Sequence, residues 1–247
     1  MAQKDQLRAP SRRSAAMIAD KIAQVHSRIA SACAAAGRPV QSVTLLAVSK
    51  TFGVDAIAEA HAAGQRRFGE NYVQEGVEKV AALAGLAPRP EWHLIGPLQS
   101  NKSRIVAATF DWVHTLDRVK IAERLSAQRP LDLAPLSVCL QVNVSGESTK
   151  SGLAPAEVGA VAHAVAALPR LRLRGLMAIP EAVAGGDMAG QRRPFRALRA
   201  LFDQLRGEGL ALDTLSAGMS DDLEAAILEG ATMVRIGSAI FGRRPPW

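Results

Sequence analysis

Cysteine, tyrosine and long apolar runs are what this chain of 247 residues has least of. Its two cysteines, Cys33 and Cys139, are too few for a disulfide framework and lack metal-ligand spacing, so no metal site is expected. No apolar run approaches the ~20 residues of a membrane span, which argues against a membrane protein. Met1 to Arg13 is polar and basic without an apolar centre; it reads as a disordered tail over 1–13 rather than a secretory signal. A reducing cytoplasm is the expected location. Aromatic residues are 4% of the chain and tyrosine occurs once, so there is no stacking platform for bases. The net charge of +7 therefore reads as a solvated basic surface and not as a nucleic-acid site.

What is present is a soluble composition, 48% hydrophobic and 21% charged. Ser14 to Ala36 carries Ile18, Ile22, Val25, Ile29 and Cys33 at helical steps, closed by Gly37 and Pro39. Strand-like runs then alternate with helical ones. The strands are expected at Val43–Val48, Arg67–Asn71, Glu91–Gly96, Trp112–Leu116, Ser137–Val144, Leu173–Ile179, Thr214–Ala217 and Met233–Ile236. The helices between them are expected at Val54–Ala63, Tyr72–Leu83, Lys102–Ala108, Arg118–Ala127, Pro155–Leu168, Pro194–Arg206 and Asp222–Glu229. This alternation argues for an α/β fold: one (β/α)8 TIM barrel with an extra N-terminal helix, occupying 14–247. A doubly wound sheet is the runner-up, but Ser-Lys-Thr-Phe-Gly after the first strand is not its Gly-rich fingerprint. The stretch from Glu181 to Gln191 is loose enough for a lid or a plain surface loop.

In such a barrel, chemistry collects where the strands end. The first strand, nearly all apolar, ends in Ser49-Lys50. An ammonium at a buried strand exit either reaches solvent or, when desolvated, becomes a usable amine nucleophile. Of the seven lysines, Lys50, Lys102 and Lys150 lie just beyond strands, and Lys50 is nearest to its strand end. After the seventh strand, Gly218 permits a tight turn and Ser220 is placed to cap the next helix. After the eighth, Gly237 and Ser238 follow Arg235. Together these loops are suited to a phosphate group. A lysine and a phosphate cradle suggest pyridoxal phosphate, with a sugar-phosphate aldolase as competitor. An aldolase lysine more often leaves the sixth strand, which here ends Met177-Ala178-Ile179-Pro180 without one. His93, His114, Cys139, Trp92 and Trp112 read as core or packing residues.

Seven ordered blocks then carry a resemblance: LLAVSKT (Leu45–Thr51), FGENYVQE (Phe68–Glu75), HLIGPLQSNK (His93–Lys102), QVNVSGESTKSG (Gln141–Gly152), GLMAIP (Gly175–Pro180), GMSDDLEAAI (Gly218–Ile227) and VRIGSAIFG (Val234–Gly242). From about Ile22 to Gly242 the chain resembles the pyridoxal phosphate homeostasis proteins. The resemblance implies a fold-type III barrel like the N-terminal domain of alanine racemase, with pyridoxal 5′-phosphate as cofactor and Lys50 as the Schiff-base lysine. It implies Asn71 beside the ring, Arg235 at the pyridine nitrogen, and Ser220, Gly237 and Ser238 at the phosphate. Lys150, Met177 and Ser216 are further candidate contacts. Two positions depart from the family pattern: Ala217 stands where methionine is usual, and Ser238 where threonine is frequent.

A guanidinium only donates hydrogen bonds, so Arg235 would keep the pyridine nitrogen unprotonated and the ring a weak electron sink. Racemisation would also need a second acid or base, which alanine racemase takes from a tyrosine of an added domain of the partner subunit. The sequence ends at Trp247, soon after the last block, and Tyr72 is its one tyrosine. The expectation is a monomeric holder of the cofactor without efficient turnover, serving PLP-dependent apoenzymes. A low-activity amino-acid racemase is the alternative.

Overall fold

The strand-forming runs assemble into a closed parallel barrel in the order β1 to β8, each strand beside the next and β8 beside β1. The computed structural model describes residues 12–146, 151–181, 183 and 187–242, with side chains from residue 17 onward. The strands are β1 (Thr44–Val48), β2 (Arg67–Glu70), β3 (Glu91–Leu94), β4 (Trp112–Leu116), β5 (Leu136–Gln141), β6 (Leu171–Met177), β7 (Thr214–Ser216) and β8 (Met233–Ile236). The ring closes through the register Leu46↔Arg235 and Ala47↔Ile236.

Strand alternation divides the core into an outer and an inner part. Leu45, Ala47, Val234 and Ile236 belong to the large cluster shared with the helices. Their neighbours Leu46, Val48 and Met233 join Ile95 in a separate cluster inside the barrel. A second interior cluster holds Trp112, Cys139 and Met177. Between these two apolar clusters the interior is polar: His93, His114, Ser216 and Arg235 are all buried. Burial of that many polar side chains is costly unless each finds a partner, and they do so in one another, as described below.

Helix α1 (Arg12–Ala35) buries the expected stripe of Ile18, Ile22, Val25, Ile29 and Cys33. It packs on α2 (Val54–Ala62), α8 (Leu223–Leu228) and α9 (Ser238–Phe241), the helices that follow β1, β7 and β8. It starts two residues before the expected boundary, because arginine is a good helix former and Arg12 and Arg13 join the helix and not the tail. The rest of the expected tail lies outside the described residues.

The remaining outer helices are α3 (Val73–Ala82), α4 (Ser103–Thr109), α5 (Val119–Gln128), α6 (Val158–Ala166) and α7 (Met188–Gly207). Helix α7 runs straight through Pro194, which was expected to begin it. Proline inside a helix removes a hydrogen bond and crowds the carbonyl four residues earlier. The helix continues because it buries Phe195, Leu198, Phe202 and Leu205 on the core, while Arg192 Nε and Arg196 Nη2 both reach Glu229 Oε1, at 2.6 and 3.0 Å. Residues 188–191 of the expected lid are thus helical. Strand β5 also stops at Gln141, short of Val144, and the chain continues through an isolated bridge between Val142 and Leu153.

Candidate functional site

A cavity of about 500 Å³ opens at the C-terminal end of the barrel, a volume suited to a small ligand. Lys50, Asn71, Ser220, Arg235, Gly237 and Ser238, named above as site candidates, all line it. Lys102 is exposed and not part of the lining, and Lys150 lies outside the described residues. Met177 and Ser216 are fully buried below the cavity and do not line it. Ser216 instead meets Arg235 Nη1 at 2.8 Å, so any influence it has on a ligand passes through the arginine.

Lys50 is half-buried just past β1, and the residues on either side of it are tied down. Thr51 has φ = 69°, a left-handed conformation that is rare for a threonine and costs of order 1 kcal/mol. Its N–H donates to Glu75 Oε1 at 2.6 Å. On the other side, Ser49 Oγ donates to Glu70 Oε1 at 2.6 Å. The buried Lys79 ammonium joins the two halves, reaching the Ser49 carbonyl oxygen at 2.8 Å, Glu70 at 2.8 Å and Glu75 at 2.7 Å. Burial pushes the Glu70 carboxyl above its ordinary pKa, and Lys79 and Ser49 offset part of that rise. Lys79 falls within the helix expected over Tyr72–Leu83, and its i,i+4 spacing from Glu75 is the one sequence signal of this cluster.

Asn71 follows Glu70 at the end of β2. Its side-chain oxygen is buried without a hydrogen-bond partner among the described residues. Such an atom is uncommon unless something else satisfies it. Its placement depends on Gly96, where a Cβ would stand 2.0 Å from the Asn71 carbonyl oxygen.

Across the cavity, Arg235 is 4% exposed. Burial draws its pKa down to about 10, which leaves it protonated near neutrality. Nη2 donates to the Ala178 carbonyl oxygen at 2.9 Å, and the backbone N–H of Arg235 donates to Gly218 O at 2.9 Å. Gly218 has φ = +94°, the left-handed turn that its loop requires. Above it, the hydroxyls of Ser238 and Ser220 meet at 3.2 Å, bringing the loops after β7 and β8 together. Arg28 of α1 braces this loop, with Nη2 on the Ser220 carbonyl oxygen at 2.9 Å and Nε on Glu224 at 2.7 Å. Nothing in the helical stripe of α1 pointed to that contact.

Two details differ from expectation. Ser220 does not cap α8; Asp222 takes the N-cap position and accepts from the Met219 N–H. With six residues in α8 and four in α9, helix dipoles add little, and hydroxyls and loop N–H groups are the anion donors on offer. Gly237 does allow a close approach, but toward β1: a Cβ there would lie 3.1 Å from Val48 O. The walls also include Phe52, Ile179, Met219 and Asp221, which sequence reasoning had not singled out. Phe52 stacks on Phe241 at 5.1 Å between ring centroids.

The profile of the alanine racemase N-terminal domain matches residues 22–245. A pyridoxal phosphate homeostasis protein from Pseudomonas aeruginosa is 60% identical over 227 residues, 92% of this chain and 96% of that protein. The chain belongs to the pyridoxal phosphate homeostasis protein family. The Escherichia coli homeostasis protein is 55% identical over 228 residues, 92% of this chain and 97% of its own. Among solved structures, PipY from Synechococcus elongatus with PLP bound has a TM-score of 0.78 at 38% identity, covering 91% of this chain and all (100%) of that one. The family's blocks fall on the cavity: LLAVSKT is β1 with its exit, FGENYVQE is β2 and the turn into α3, and VRIGSAIFG is β8 with α9. At the two departures, Ser238 keeps its hydroxyl on Ser220, and Ala217 is buried and adjacent to Gly218.

Proposed function

We propose that this chain holds pyridoxal 5′-phosphate at the barrel mouth through Lys50 and passes it to PLP-dependent apoenzymes, working in the cytoplasm as a monomer in cofactor homeostasis. The observation that carries this reading is one cavity that joins the strand-end Lys50, the unpartnered Asn71 oxygen and the buried guanidinium of Arg235. When bound, pyridoxal phosphate supplies an aldehyde that condenses with an amine and a pyridine ring that withdraws electrons. Lys50 is the amine for that aldehyde. Asn71 gains a partner for its buried oxygen from the ligand's hydroxyl side. The Ser220 and Ser238 hydroxyls, with the loop N–H groups around Gly237, hold the phosphate.

Arg235 is the group for the ring nitrogen. Two of its N–H groups are engaged by Ser216 and Ala178, and a guanidinium has five. Because it donates and stays charged, it leaves the ring nitrogen without a proton, which favours holding the cofactor over turning substrates over. The cavity lining also favours holding: Asp221 is its one carboxylate among the described residues, and Tyr72 is exposed on a neighbouring groove with Thr51 and Phe52.

The test is a titration of the purified protein with pyridoxal phosphate. The expected result is a visible absorbance band that borohydride removes, with the reduced adduct mapped by mass spectrometry to Lys50 and absent from Lys50→Ala. No band and no adduct would overturn the reading. Adding D- and L-alanine separates it from the racemase alternative, for which interconversion at ~1–10³ s⁻¹ would be expected.

A further inference from the structure

A line of hydrogen bonds crosses the barrel interior from Arg235, beside the cavity, to Glu91 at the opposite rim. Arg235 Nη1 meets Ser216 Oγ at 2.8 Å, and Ser216 Oγ meets His114 Nδ1 at 2.9 Å. His114 Nε2 meets His93 Nδ1 at 2.9 Å, and His93 Nε2 meets Glu91 Oε1 at 2.8 Å. Arg67 Nε closes the far end on the same Glu91 oxygen at 3.1 Å. Glu91 is the first residue of β3, so it sits at the end of the barrel away from the cavity.

The polarity of the line follows from its two ends. A guanidinium can only donate, and a carboxylate can only accept. Burial pushes the Glu91 carboxyl upward, but His93 and Arg67 hold it below its ordinary range, so it is ionised. Burial also keeps both imidazoles neutral, with His114 pushed furthest down because His93 and the Arg235 cation add to the effect. Each neutral ring therefore has one donor and one acceptor. Arg235 donates to Ser216, Ser216 to His114 Nδ1, His114 Nε2–H to His93 Nδ1, and His93 Nε2–H to Glu91. All four bonds run the same way, and their dipoles lie in line between a cation and an anion, so that each strengthens the next. His93 is further fixed by stacking on Trp112, with ring centroids 5.1 Å apart and planes at 13°.

We propose that Glu91, His93, His114 and Ser216 are positioning residues for Arg235, a one-way line that holds the guanidinium in register with the ring nitrogen of a bound pyridine ligand and links its donor strength to the charge at the far rim. The inference rests on the reading that the cavity takes pyridoxal phosphate. One arm of its test does not need that ligand.

In ligand-free full-length protein, ¹⁵N NMR of the histidines should show His93 and His114 neutral, with the proton on Nε2 in both. Glu91→Gln keeps an acceptor for His93 but also brings an amide donor and removes the charge. The line then loses its fixed direction, and the His114 signals should move toward a mixture of tautomers although residue 91 does not touch His114. Unchanged His114 signals in Glu91→Gln would overturn the coupling. In the second arm, Ser216→Ala should still form the Lys50 adduct but bind pyridoxal phosphate about tenfold more weakly. The pH profile of its visible band should be displaced, and Ser216→Thr, which keeps the hydroxyl, should restore both. If Ser216→Ala does not fold, the same pH profile is read in Glu91→Gln, where a displacement is again expected. Wild-type affinity with an unmoved pH profile would overturn the positioning role. A wild-type protein that binds no pyridoxal phosphate would sink the functional reading alone, since the NMR arm still decides whether the line is coupled.

Discussion

Two buried polar systems flank the cavity, and they solve the same problem in opposite ways. Under Lys50, the Lys79 ammonium lies between Glu70 and Glu75, so charge meets charge within 2.8 Å. Beside Arg235 no carboxylate among the described residues is in contact; neutral groups carry its compensation across the barrel to Glu91. The first arrangement is short and stiff, and it clamps the backbone on both sides of Lys50. The second is long and polarisable. A site that needs one amine held in place and one cation tuned uses a contact pair for the first task and a line of neutral donors for the second.

Breaking the contact pair should have the larger effect. In Lys79→Met two carboxylates face each other without their cation, and removing one partner of a buried ion pair costs ~3–5 kcal/mol. Urea denaturation should register that loss. Borohydride trapping at Lys50 should slow as well, because Ser49 and Thr51 lose their common anchor. A stability change within 1 kcal/mol, approximately that of a surface pair, would show that the cluster is not the clamp described here.

The pH dependence of stability separates the two systems by sign. His93 and His114 have folded pKa values below the ordinary 6.5. Their contribution is full above pH 6.5 and is lost as pH falls below it, because the unfolded chain then binds more protons. The slope is up to about 1.4 kcal/mol per pH unit per histidine. Glu70 is the reverse case. Its folded pKa is raised above 4.5, so the folded state binds more protons there and stability falls as pH rises through that window. Urea midpoints between pH 5 and 8 should therefore drop toward acid, and His114→Asn should flatten the drop. An equally steep drop in His114→Asn would mean that this imidazole is not buried neutral.

The smallest effect is expected at Arg28, which lies outside both systems and braces the phosphate-side loop from α1. Its pair with Glu224 is more than one-third exposed on both sides, so Arg28→Ala should cost less than ~1 kcal/mol of stability. Pyridoxal phosphate should bind a few-fold more weakly, with pyridoxal unaffected, since the loop carries Ser220. Equal weakening of both ligands would place the effect elsewhere in the cavity.

The barrel was legible because its signal is local and repeated: short apolar runs, each bounded by a helical pattern. Lys50 was legible as a charged side chain at the exit of an apolar strand, and Arg235 through the family resemblance. Where expectation and structure part, a distant residue is the reason. Pro194 reads as a helix start until the burial of Phe195, Leu198, Phe202 and Leu205 against the rest of the barrel carries the helix through it. Ser220 reads as a helix cap until Asp222 takes that place and Ser238 comes within 3.2 Å. Lys79 reads only as one residue of a helix, because nothing in α3 says that Ser49 will lie beneath it.

By itself, then, the order of residues determined the alternation of strands and helices, the ends at which chemistry gathers, and the family blocks around Lys50, Asn71 and Arg235. Tertiary structure alone decided that His93 and His114 form one line with Ser216, that Gly96 admits the Asn71 backbone, and that Ser216 and Met177 lie beneath the cavity and not on its wall. The reason is geometric. Periodicity fixes which side of a strand a residue faces, whereas the stagger of eight strands around a closed ring fixes which inward residues stand level with one another, and hydrogen bonds form only between those.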